Sequence, residues 1–246
     1  MHILVIARAN IDHQNTVIPI TADQQLDLDT VKTVINPYDE KAVVAAVNYK
    51  KQVDPTAKIY IASFGSNSNS VIRSGLARGG DEGLQFMIPA TDDDLIISHS
   101  LVIAIKKHLI VKPDLIFMGV ASNNDGSKLL PSMLAFMLSY HNIFNIEAIE
   151  YNNSIIAINH YQQQYDVVSP AVISVSYNIN KLSFLKLPDI IAAKKKNINK
   201  IMIADEDLLN SEINNIKSYY PDYNRQCQYL DYQQLLDMLK KIKDSK

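Results

Sequence analysis

Short apolar, β-branched runs alternate along this chain with segments long enough to form a helix, and that alternation restricts the fold more than any other feature. The runs are His2 to Ala9, Lys58 to Phe64, Glu82 to Ile88, Asp114 to Ala121 and Ala171 to Ser176. Strands joined by crossovers of helix length pair in parallel, and a parallel sheet needs helices on both faces. The expected fold class is therefore α/β, a three-layer, doubly wound and mostly parallel sheet.

The intervening segments carry helix signals. Asn36 is the expected N-cap of the first helix, Pro37 suits its first turn, and Asp39 and Glu40 complement the positive helix end. Ala42, Val43, Ala46 and Val47 form its sheet-facing stripe. A second helix is expected from Asn69 to Arg78, stopped by Gly79-Gly80 in a left-handed cap. A third runs from Thr91-Asp92-Asp93-Asp94 to Lys112-Pro113, and a fourth through Leu134 to His141. From Asn145 the texture changes, and Glu147 to Tyr151 and Ile155 to His160, joined by Asn152-Asn153-Ser154, read as a hairpin on a sheet edge. Asn178 to Leu187 has no clear period. A helix starts beside Pro188-Asp189 and runs into Lys194-Lys195-Lys196, and an amphipathic helix closes the chain from Tyr232 to Ile242. The expected division is an α/β domain over residues 1–200 and a C-terminal extension over 201–246 that lies against a partner.

Composition removes several function classes. A net charge of -2 over 246 residues argues against a nucleic-acid grip, which needs a basic excess gathered on one face. Cys227 is the single cysteine, so neither an internal disulfide nor a thiolate metal site can form. The first ten residues lack the basic and small-residue features of a secretory signal. The apolar stretch Leu95 to Ile105 is broken by Ser98, His99 and Ser100 and falls short of the ~20 residues of a spanning helix. The expectation is a cytoplasmic chain with no membrane insertion. The histidines show no ligand spacing, no GxGxxG or GxxxxGK[ST] occurs, and no serine nucleophile elbow is present. Asp92-Asp93-Asp94 reads as helix-start charge.

What remains is the loop after the fourth run, Ser122-Asn123-Asn124-Asp125-Gly126-Ser127-Lys128, leading into a helix. In an open parallel sheet, ligands bind beyond the carboxyl ends of the strands, where backbone N–H groups hold anions. This loop is the expected phosphate cradle, with Ser127 and Lys128 adding donors and Ala7-Arg8 and Ser63-Phe64-Gly65 beside it. From these residues alone, a stand-alone adenine-nucleotide-binding regulatory module stays open. So does a nucleotide hydrolase, for which Asp125 is the one candidate base.

Several ordered landmarks resemble the beta-subunit family of electron transfer flavoprotein. Asn36-Pro37-Tyr38-Asp39-Glu40 with Ala42, Ala45-Ala46 and Tyr49-Lys50-Lys51 is similar to the family's first helix, and Leu76-Ala77-Arg78-Gly79-Gly80-Asp81 to its turn. Pro113-Asp114-Leu115-Ile116, Gly119 and Asp125 resemble its strand and loop. Most specific is the block Pro170-Ala171-Val172, Val175, Asn180, Leu187-Pro188-Asp189-Ile190 and Ala193-Lys194-Lys195-Lys196.

The resemblance implies an adenine-nucleotide alpha-hydrolase-like fold and an electron carrier without a reaction centre of its own. It implies a heterodimer with an alpha subunit that carries FAD. Electrons come from flavin dehydrogenases such as the acyl-CoA dehydrogenases of fatty acid oxidation, and go to a quinone-linked or ferredoxin-linked acceptor. The beta-subunit pocket takes AMP or, in the bifurcating branch, a second FAD. By position, Ala7, Arg8, Asn36, Phe64, Gly65, Asp125, Ser127, Lys128, Leu129 and Leu130 fall on that pocket, and His13 and Tyr38 near the partner's flavin. Leu187, Pro188 and Lys195 fall on the segment that meets the dehydrogenase. Two departures stand in the loop, where the family has glutamine at Leu129 and a small residue near Pro131. A third precedes Pro170, where His160-Tyr161-Gln162-Gln163-Gln164 replaces an arginine and an acidic turn.

Overall fold

The computed structural model describes residues 1–12, 31–65, 68–88, 91, 93–123, 126–152, 154–159, 161–182, 184–204 and 231–244. These belong to two compact units, one of residues 1–19 and 27–216 and one of 20–26 and 217–246.

In the larger unit the chain begins with β1 (His2–Ile6) and crosses to a two-stranded antiparallel ribbon of β2 (Ala9–Ile11) and β3 (Thr33–Ile35). It continues through α1 (Pro37–Gln52), β4 (Lys58–Phe64), α2 (Asn69–Ala77), β5 (Glu82–Met87), α3 (Asp94–Ile103) and β6 (Leu115–Gly119). Then follow α4 (Leu130–Leu138), β7 (His141–Asn152), β8 (Ser154–Asn159), β9 (Gln164–Asp166), β10 (Ala171–Val175), α5 (Leu187–Lys195) and β11 (Ile198–Met202). The nine-stranded sheet has the order β11-β5-β4-β1-β6-β10-β7-β8-β9. Every neighbouring pair from β11 to β7 runs parallel, while β8 and β9 add antiparallel strands at one edge. The expected three-layer, mostly parallel α/β fold is what the chain adopts.

Alternation along the strands builds two cores. Ile3, Val5, Leu115, Phe117 and Ile173 point to the face covered by α1, α2 and α5. Leu4, Ile6, Ile116, Met118 and Val172 point to the face covered by α3 and α4. Both strand faces are buried, which is why the runs are continuously apolar instead of alternating with polar residues. The chain moves outward from β1 through β4 to β5, then returns to the other side of β1 at β6. That reversal opens a crevice at the carboxyl ends of the central strands.

Several boundaries differ from the expectation. The first strand ends at Ile6, because the backbone beyond it leaves the sheet to pair in the ribbon, Ala9 opposite Ile35. The third helix stops well before Pro113: after Ile103 it loosens into a π-helical turn over Ala104–His108. The fourth helix occupies Leu130–Leu138 instead of Leu134 to His141. Ser139 takes a left-handed conformation (φ 59°), and the Tyr140 amide donates back to the Ala135 carbonyl at 2.9 Å, a helix stop that needs no glycine. His141 therefore opens β7, the long first arm of a hairpin that starts earlier than Glu147. Strands β2, β3, β9 and β11 have no counterpart among the expected elements. Gly79 ends α2 as expected, with φ 123°.

Helix α5 is tied to α2 by charge. The Arg73 guanidinium donates to the carbonyls of Ala193 at 2.7 Å and Lys196 at 2.6 Å. Lys196 returns the favour to the end of α2 through the Leu76 and Gly80 carbonyls. One member of the lysine run is thus a helix cap, while Lys194 and Lys195 are exposed. Arg73→Met is expected to lower stability by about 1–3 kcal/mol, as hydrogen bonds from a charged donor do. Hydrogen exchange should quicken in α5 more than in the central strands; unchanged protection of α5 would show that other contacts hold it.

The smaller unit contributes α6 (Tyr232–Asp244), an amphipathic helix with Leu235, Met238 and Leu239 exposed. No helix of the described residues is long and apolar enough to cross a membrane.

Candidate functional site

The crevice at the strand ends is built around one buried carboxylate. Asp39, in the first turn of α1, is 1% exposed. One oxygen accepts from the Arg8 amide at 2.7 Å and the Asn36 side-chain amide at 3.0 Å, the other from the Gly119 amide at 2.6 Å. A single side chain thereby fastens α1 to the ends of β1 and β6. Burial pushes its pKa up from the ordinary carboxylate value, opposed by the Arg8 charge and by these hydrogen bonds. Close approach makes this possible: at Gly119 an added Cβ would meet Tyr38 Cβ at 2.4 Å and Asp39 Oδ1 at 2.6 Å.

Asn36 is not the capping side chain expected from its type. Its amide makes no bond to the helix amides and donates instead to Asp39 and, at 2.8 Å, to the Ala121 carbonyl after β6. Tyr38 sets its ring edge-on to Tyr177 at 5.9 Å, and the Lys41 ammonium stands 4.8 Å from the same Tyr177 ring. The Asn180 amide donates to the Lys41 carbonyl at 3.2 Å, and the Lys41 ammonium donates to the Asn180 carbonyl. Asn180 thus anchors the segment that leads to α5.

On the opposite face Asp93 and Asp94 divide their work. Asp93 caps α3, accepting from the Leu95 amide at 2.9 Å. Asp94 turns inward instead: it accepts from the Ser127 hydroxyl and lies 3.7 Å from the Arg8 guanidinium. The acidic triplet is therefore helix-start charge only in part.

The expected site residues come together unevenly. Ala7, Arg8, Asn36, Gly65, Ser127 and the start of α4 all lie at the carboxyl ends of the central strands. Ala7 is buried, its amide donating to the Ala62 carbonyl, and the Gly65 amide donates to Phe86. Phe64 packs on the α3 face. Leu130 is wholly buried in the core, whereas Leu129 and Lys128 are exposed. His13 and Asp125 lie outside the described residues. Leu187, Pro188 and Lys195 are exposed on α5, far along the chain from the crevice residues. Reading the sequence did not single out Asp39 and Asp94 as site residues; the one available signal was the Asn-Pro-aromatic-acid order, which was assigned to the helix dipole. No group of three metal-ligating side chains occurs among the described residues.

Two clefts lie elsewhere. One of ≈ 370 Å³ sits at the amino ends of β1, β4 and β5, lined by His2, Tyr60, Glu82, Leu109, Val111 and Ile201. The other, of ≈ 650 Å³, is bordered by Val47, Lys51, Arg78, Lys181, Phe184 and Asp189.

Comparison with known proteins gives the family. The pattern of the electron transfer flavoprotein domain matches residues 25–206. The chain belongs to the electron transfer flavoprotein beta-subunit family. It is similar to the electron transfer flavoprotein subunit beta of Bradyrhizobium diazoefficiens, with 26% identity over 83% of each chain. With the protein of that name from Syntrophomonas wolfei it shares 29% identity over 68% of this chain and 66% of the relative. With that of Bacillus subtilis the identity is 24%, over 85% and 81%. The family's matched span begins before α1 and ends just after β11, so it takes in Asn36, Asp39, Asp94, Ser127 and α5, whereas β1, Ala7 and Arg8 precede it.

Proposed function

We propose that the chain is the beta subunit of an electron transfer flavoprotein. It pairs with an alpha subunit that carries FAD, accepts electrons from flavin dehydrogenases such as acyl-CoA dehydrogenases, and passes them to a quinone-linked or ferredoxin-linked acceptor in the cytoplasm. The observation that carries this reading is the family match across residues 25–206. The flavin held by the partner supplies the redox chemistry. This chain's part is to bind the partner, shield the flavin from water and present a docking surface, and none of its side chains acts as acid, base or nucleophile.

Two surfaces support the assignment. Phe184, Leu187 and Ile191 are exposed at and just before α5, with Leu187 at 68% and Phe184 fully so. An apolar apex of this kind, braced from behind by Arg73, suits reversible docking of a dehydrogenase. The exposed apolar side of α6 suits a lasting contact with the alpha subunit, in keeping with a C-terminal extension that lies on a partner. Co-expression with the alpha subunit is expected to yield a yellow heterodimer; a colourless chain that ignores every alpha subunit would refute the assignment. In that heterodimer Leu187→Ala should slow reduction by the dehydrogenase at least about tenfold, while stability stays within about 0.5 kcal/mol, as for other exposed positions. Stopped-flow flavin reduction reads the first and urea unfolding the second.

A further inference from the structure

Among the described residues, several donors that could face a nucleotide phosphate are already engaged within this chain, some of them by its own carboxylates. At the ends of β1 and β6 the Arg8 and Gly119 amides both donate to Asp39. In the loop, the Ser122 amide donates to the Ser127 carbonyl and the Gly126 amide to the Ser122 carbonyl, each at 3.0 Å. The Leu129 amide turns to the Ser127 hydroxyl at 3.4 Å. That hydroxyl itself donates to Asp94. Pro131 removes an amide from the first turn of α4, the turn whose N–H groups would face an anion. Leu129 brings no polar atom where the family has an amide.

Charge points the same way. Asp94 is one-tenth exposed, and its Oδ1 makes no hydrogen bond although the Arg8 guanidinium stands 3.7 Å away. Arg8 thus lies between two carboxylates, Asp39 and Asp94, and the buried part of the crevice carries an excess of negative charge. A phosphate entering there meets repulsion from Asp94 and, at its Oδ1, a spare acceptor.

We propose that Asp94 is a built-in counter-anion: it holds the Ser127 hydroxyl and faces Arg8 while Asp39 holds the Arg8 and Gly119 amides, so that this beta subunit binds neither AMP nor the diphosphate of a second FAD there. The role of Asp94 follows from the crevice itself; only the naming of the excluded nucleotide rests on the family reading. The pocket is then a brace between α1, α3 and the α4 loop, and the one flavin of the heterodimer belongs to the partner.

The test measures equilibrium dialysis of the full-length chain against AMP and against adenosine, and the nucleotides released by heating the purified heterodimer. AMP is expected to bind no more tightly than adenosine, and heat is expected to release flavin without AMP. AMP preferred over adenosine by about tenfold or more, or AMP released in amounts matching the flavin, overturns the proposal. Asp94→Asn, which keeps the shape and removes the charge, should raise AMP affinity at least about tenfold over the unsubstituted chain. A folded Asp94→Asn chain with unchanged AMP affinity also overturns it. The comparison of AMP with adenosine needs no variant, so it stands even if that substitution impairs folding. Failure to form a heterodimer would count against the proposed function and leave the dialysis result intact.

Discussion

Asp39→Ala should cost the protein about 3–5 kcal/mol, the range found when one partner of a buried charged network is removed. The carboxylate accepts from the Arg8 and Gly119 amides and from the Asn36 side chain, and it is 1% exposed. Alanine leaves these donors buried with no acceptor, at about 1–3 kcal/mol each before relaxation. Relief of carboxylate desolvation offsets part of that. Asp39→Asn keeps the volume but turns an amide N–H toward a backbone N–H, and about 2 kcal/mol of loss is expected from one lost acceptor.

The pH dependence has a definite sign. Burial holds the folded pKa of Asp39 above the ordinary carboxylate value. Between the unfolded and the raised folded value, the folded state binds more protons, so this residue's contribution to stability falls as pH rises through that window. The wild type should show this slope in urea midpoints just above the ordinary carboxylate range, and Asp39→Ala should lack it. A loss below about 1 kcal/mol in the alanine variant would mean that α1 is seated by its apolar stripe alone.

Gly119→Ala should be nearly as damaging, at about 3 kcal/mol, the upper end of ordinary overpacking. The added methyl would lie 2.4 Å from Tyr38 Cβ, 2.6 Å from Asp39 Oδ1 and 2.8 Å from the Asp39 amide nitrogen. Two of these atoms belong to the helix frame and cannot swing aside, so α1 must move away from β6 and stretch the Gly119–Asp39 bond. The two substitutions act on one contact, and the double variant is expected to lose clearly less than the sum of the single losses. Urea unfolding of all three variants measures this. Full additivity, or a Gly119→Ala loss within about 0.5 kcal/mol, would show that the helix does not rest on this glycine.

The sheet was legible in the sequence because its strands are buried on both faces and therefore apolar throughout, as in Ile3 to Ile6 and Leu115 to Met118. The helix starts were legible from Pro37 and Asp93. Strand β11 was not, because Ile198–Met202 lies at an edge, follows a lysine run and is half polar. The end of the fourth helix was misplaced because Ser139 adopts a conformation more often taken by glycine. At the crevice, position in the chain located Arg8, Asn36 and Ser127, but not what they bind. Whether Asp94 points outward to cap a helix or inward to Arg8 depends on contacts between residues far apart in sequence, which no local pattern records. Asp93 and Asp94 are adjacent and chemically identical, yet only one of them caps α3.

The sheet ends on one side in β9, three residues long and wholly exposed, and on the other in β11, five residues long with Lys200 among its exposed positions. Short borders that carry an exposed charge, Asp166 on one side and Lys200 on the other, resist accretion of further copies edge to edge and so guard against fibre growth. For the carrier role proposed above, this leaves contact to side chains such as Leu187 and Ile191 on α5, where it is made and broken without backbone zipping.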